Sequence, residues 1–98
     1  MLNQITLIGN LGADSEVKAN GQLLQLRLAT STSYKNKQGE YVNETEWHKV
    51  KLWSQYASDM APRFTKGAKV LVLGSVTYEE YEGRKDLVVK ARSVKSLG

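Results

Sequence analysis

Both tryptophans, the single histidine and two of the lysines of this 98-residue chain fall within one stretch, Thr45 to Trp53, TEWHKVKLW. On an extended strand, side chains alternate between two faces. Trp47, Lys49, Lys51 and Trp53 therefore share one face, and Glu46, His48, Val50 and Leu52 share the other. Burying two ammonium groups without partners is costly, so the tryptophan face is predicted to be wet, with Val50 and Leu52 pointing inward. Two indole rings separated by two cations suit a single strand of nucleic acid. Bases stack on the rings, at on the order of 1–3 kcal/mol each, while the cations follow the phosphates. The competing arrangement buries the tryptophans in a core or between subunits with the lysine stems lying flat, and the interleaved lysines argue against it.

Weaker candidates lie elsewhere. Tyr34 ends a strand just before Lys35 and Lys37, where a ring could receive a base. Tyr78 and Tyr81 flank two glutamates, and Glu79, Glu80 and Glu82 would repel phosphate. Arg63, Lys66 and Lys69 could extend a basic rim. His48, on the inward or interface face, is predicted to pack rather than to catalyse. One histidine without cysteine forms no nucleophile–base pair, and no metal-ligand spacing, dinucleotide fingerprint or phosphate loop occurs. A non-enzyme without metal or cofactor is expected.

These residues must be positioned by a small fold. Ninety-eight residues are read as one domain, 1–98, of ordinary globular composition, 41% hydrophobic and 24% charged. With no cysteine, no signal-like start and no run long enough to span a membrane, the chain is expected to be soluble and cytoplasmic. The net charge is +4, and residues 34–69 carry seven positive and four negative groups, the largest share of the excess. That surplus surrounds the tryptophan stretch and hints at an acidic partner.

NQITLIGNL alternates Ile5 and Leu7 with polar residues, as a half-buried strand would, and Gly9 and Gly12 permit bends or close backbone approach. Asn20-Gly21 is the favoured pair for a two-residue hairpin turn. From Gln22 to Tyr34, Leu24, Leu26, Leu28 and Thr30 fall on one face, and Leu23, Gln25, Arg27 and Ala29 on the other. Lys35–Asn43 reads as a polar loop, followed by a strand from Glu44 to Trp53. Ala57, Met60 and Phe64 change to a helical period, with Ser54 as N-cap, Gly67 as stop and Pro62 imposing a short, kinked or two-part helix. Two further strands follow, joined by a turn at EGRK, with Gly74 where the first could bend. Three strands, a helix and two strands predict an all-β fold: a five-stranded OB-fold barrel with one short helix between the third and fourth strands. A small open sandwich is the main alternative.

The blocks ITLIGNLGADSEVK, LRLATSTSY, TEWHKVKLW and KGAKVLVLGSV, in this order and spacing, resemble the bacterial single-stranded DNA-binding protein (SSB) family from Asn3 to Gly98. The resemblance implies an OB-fold, usually a homotetramer, that binds and protects single-stranded DNA without base-specific readout in replication, recombination and repair. By position it assigns base stacking to Tyr34, Trp47, Trp53 and Tyr81, and a place near the subunit interface to His48. The phosphate contacts expected are Lys35, Lys37, Lys49 and Lys51. The hairpin YEEYEGRKD is acidic where the family is commonly basic, and Ser15 stands where proline is usual. Ending at Gly98, the chain is expected to lack the family's acidic C-terminal tail and its enzyme-recruiting role. An alternative within binding modules is a tailless primosomal-type accessory OB protein that acts in replication restart through protein contacts.

Overall fold

Leu24, Leu26 and Leu28 alternate with more polar residues along a 13-residue strand, and the pairing of that strand organises everything around it. In the computed structural model, which describes residues 2–98, the elements follow in the order β1 (Ile5–Leu11), β2 (Glu16–Lys18), β3 (Leu23–Lys35), β4 (Tyr41–Trp53), α1 (Ala57–Met60), a 3₁₀ turn (Ala61–Arg63), β5 (Lys69–Tyr81) and β6 (Arg84–Ser96). β1 pairs with β5, β5 with β6, β6 with β4 and β4 with β3; β3 returns to β1 through Ala29–Asn10 and Leu28–Leu11. The ring of pairings is a closed five-stranded barrel. Among the described residues, only the β4–β6 pairing is parallel.

β2 pairs with β3 at Leu23–Gln25, beyond the β1 contact, so β1 and β2 are two pieces of one barrel strand. Counted this way, the short helix lies between the third and fourth barrel strands, as expected for an OB-fold. Leu24, Leu26, Leu28 and Val50 meet Val70, Val72 and Val89 in the core. Each such side chain contributes about 1.5–3 kcal/mol on full burial. Ala57 of α1 and Phe64, just after the 3₁₀ turn, insert into the same cluster. Pro62 is the second residue of the 3₁₀ turn that follows α1, a position where its missing N–H costs nothing. β5 bends at a bulge between Leu73 and Gly74, and a Cβ on Gly74 would collide with the Lys90 carbonyl.

Both long hairpins continue beyond the barrel, giving extents of 51 × 34 × 29 Å. Their tips are fully paired, to Lys35–Tyr41 in one and Tyr81–Arg84 in the other. Several boundaries differ from the sequence-based expectation. β4 begins at Tyr41 rather than Glu44, which shortens the loop to residues 36–40. The Asn20-Gly21 turn is a four-residue connection from Lys18 to Leu23, with Ala19, Asn20 and Gly21 all at positive φ. Ser54 does not cap α1. Tyr56 occupies that position without a side-chain cap, while Ser54 Oγ accepts the Tyr56 N–H ahead of the helix. Gly67 lies past the helical segment and donates its N–H to Leu11 O.

Candidate nucleic-acid interface

Every odd-numbered residue of β3 lies opposite an odd-numbered residue of β4, from Leu23–Trp53 to Lys35–Tyr41. Cross-strand partners share a face, so these residues form one surface of the β3–β4 ribbon. That surface carries Tyr41, Trp47 and Trp53 with Arg27, Lys35, Lys49 and Lys51, and no aspartate or glutamate from either strand. The opposite surface carries the core leucines and, farther out, Glu44 and Glu46. Trp47 is 51% exposed and Trp53 60%, so the predicted wet face is wet, while Val50 is fully buried and Leu52 nearly so.

The surroundings of Trp47 fix its ring. The Arg27 guanidinium carbon stands 4.7 Å from the ring centroid, a cation–π contact. On the β1–β2 connection, Gly12 lies against the six-membered ring, and a Cβ there would collide with Cζ3 and Cη2. A hollow of ≈ 400 Å³ opens beside this ring, lined in part by Asp14, Gln25, Arg27 and Lys49. The sequence alone marks neither Arg27 nor Gly12 as a site residue. The outward direction of Arg27 is legible from its parity, but its place beside Trp47 depends on the cross-strand register.

The lysines differ. Lys49 is exposed and makes no ion pair among the described residues. Lys51, a candidate phosphate contact, donates to Glu79 Oε1 of β5 at 2.6 Å. Tyr81, 62% exposed at the end of β5, lines a groove of ≈ 280 Å³ with Lys49, Lys51 and Glu79. On the other flank, Glu16 of β2 lies opposite Gln25 and pairs with Lys18 at 3.5 Å.

Tyr34 is not on the tryptophan face. It pairs with Val42 on the even-numbered side, and its hydroxyl donates to Glu44 Oε1 at 3.2 Å. That hydrogen bond, reinforced by the negative charge of Glu44, pushes the phenol pKa above its ordinary value. Lys35 is exposed at the end of β3 and Lys37 is exposed in the loop, where Asn36 Oδ1 accepts the N–H groups of Gln38 and Glu40. Tyr41, read as part of the loop, instead extends the tryptophan face and is 78% exposed. His48 is half-buried on the even-numbered side, its Nε2 lying 2.9 Å from Thr30 Oγ1.

Comparison with known proteins places this geometry. The fold matches a Plasmodium falciparum SSB in complex with single-stranded DNA, with a TM-score of 0.86 at 24% identity over 100% of this chain and 96% of that one. It also matches the small single-stranded DNA-binding protein of Streptomyces coelicolor, with a TM-score of 0.74 at 21% identity over 98% and 94%. A deletion mutant of the single-stranded DNA binding protein from Thermus aquaticus is 27% identical with a TM-score of 0.82; the match covers 99% of this chain and 51% of that one, about half its length. The family model described as the single-strand binding protein family matches residues 2–96. The chain belongs to the single-strand binding protein family.

Proposed function

We propose that the odd-numbered face of the β3–β4 ribbon is where this chain holds single-stranded DNA. The observation that carries this reading is the composition of that face, with Tyr41, Trp47 and Trp53 among Arg27, Lys35, Lys49 and Lys51 and no carboxylate from either strand. Bases stack on Trp47 and Trp53, and Lys49 and Lys35 meet the phosphates, with Lys37 at the ribbon tip and Lys51 once it is free of Glu79. Tyr81 offers a ring across the groove, and Tyr34 takes a base from a strand that has passed around the ribbon. Every base has a π-face and every nucleotide a phosphate, so binding does not depend on sequence.

The role that follows is to coat and protect exposed strands in replication, recombination and repair. It is a binding role and needs no bond-making group, metal or cofactor. It is performed in the cytoplasm, on nucleoid DNA, by a single OB domain. No helix of the described residues is long and apolar enough to cross a membrane. The chain acts as a homo-oligomer, a tetramer on family grounds, with His48 near a subunit contact. Light scattering reads that mass directly.

Titrating the protein with a dT oligonucleotide tests the reading. Tryptophan fluorescence is expected to be quenched, affinity to fall as salt rises, and a duplex of equal length to bind far more weakly. Absence of quenching, or preference for the duplex, would overturn it.

A further inference from the structure

The cations of the tryptophan face have no carboxylate on their own face of the β3–β4 ribbon, yet one of them is already occupied. Glu79 reaches it from β5, with Oε1 2.6 Å from Lys51 Nζ and side-chain exposures of 41% for Glu79 and 20% for Lys51. β6 lies between β4 and β5 in the sheet, so this ion pair spans a whole strand and ties the acidic hairpin to the face. Glu79 also lies directly opposite Asp86 on β6. Cross-strand like charges repel, so a Glu79 carboxylate that lets go of Lys51 still faces Asp86, whose own charge is only partly met by Arg84 at 3.9 Å. Glu80 lines the same groove but makes no ion pair among the described residues.

We propose that Glu79 is an intramolecular competitor for the DNA backbone. Its carboxylate holds the Lys51 ammonium where a phosphate would otherwise sit, and a strand gains that cation only by displacing it. The exchange replaces one anion by another, so it adds little affinity and little salt dependence. The strand is thereby kept on the β4 line, from Trp53 past Lys49 and Trp47 toward Tyr41, and reaches Tyr81 on the β5–β6 arm only where it displaces Glu79. Glu79 thus determines how far the bound strand spreads, a statement that rests on the tryptophan face being the DNA site.

The test is the Glu79→Gln variant, titrated with a dT oligonucleotide at several salt concentrations after circular dichroism shows it folded. Freeing one partly exposed cation is expected to tighten binding about two- to fivefold at low salt. One added phosphate contact is expected to steepen the slope of log K against log salt by about 0.7. Glu80→Gln removes the same formal charge from the same groove without releasing Lys51, and is expected to give a clearly smaller gain. Glu79→Gln combined with Lys51→Gln is expected to lose the added slope. Unchanged or weaker binding by Glu79→Gln, or equal gains from the two glutamine variants, would overturn the proposal. If the unaltered protein fails to bind dT at all, the DNA reading itself falls and takes the proposal with it. Binding by the unaltered protein with no change in Glu79→Gln removes the proposal alone.

Discussion

Trp47 leaves about half its surface to solvent while Arg27 and Gly12 determine where its ring lies. An exposed cation–π contact contributes about 0.5–1 kcal/mol, enough to bias the ring's orientation while the face is still free of DNA. Steric exclusion at Gly12 is the firmer restraint, because a methyl group there overlaps the ring edge. Gly12→Ala is therefore expected to swing the indole, shift its emission and weaken dT binding by up to the 1–3 kcal/mol of one stacked base. Fluorescence titration of a variant shown to be folded measures it. The alternation within TEWHKVKLW is enough by itself to give the outward direction of Trp47, Lys49 and Trp53. It does not give the partners of Trp47, since Arg27 and Gly12 come from two other parts of the chain that only strand pairing brings together. Lys51 shows the same limit: its direction is readable from parity, but its engagement by Glu79 spans strands that are distant in sequence.

At the scale of the element, the β3–β4 ribbon matters more than either strand. Tyr41, Trp47 and Trp53 recur every six residues on one face of β4, about 20 Å apart along the strand. Tyr41→Ala is expected to weaken binding of long dT oligonucleotides and to leave unchanged those short enough to cover only Trp47 to Trp53. A length series of titrations reads the difference, and an equal loss at every length would exclude Tyr41 from the path. The ribbon beyond the barrel is solvated on both faces, so Tyr41–Asn43 lacks the alternation that marks a half-buried strand, and its polar composition reads as loop. β2 leaves no signal for a related reason, since all three of its residues are exposed. The β3 core face is plain because Leu24, Leu26 and Leu28 must be buried together. Tyr34 lies three steps of two beyond Leu28, so the same count places it off the tryptophan face.

For the molecule as a whole, closure is what converts these strands into a platform. The barrel is expected from the count of short strands and hairpins, whereas the β1–β3 contact and the parallel β4–β6 pairing leave no mark in the period of the sequence. Charge follows the same architecture: the β3–β4 arm presents cations on one face, and the β5–β6 arm answers with Glu79 and Glu80. The net charge of +4 is modest, so in the proposed binding mode affinity is expected to rest on stacking along the ribbon together with local phosphate contacts. The claim at the centre of this account is that Trp47 and Trp53 carry the binding. It is tested most directly by titrating a fluorescently labelled dT oligonucleotide with the Trp47→Ala/Trp53→Ala double variant and following anisotropy. If the rings act independently, the folded double variant loses about 2–6 kcal/mol of binding free energy relative to the unaltered protein. A folded double variant that binds with undiminished affinity would contradict the account.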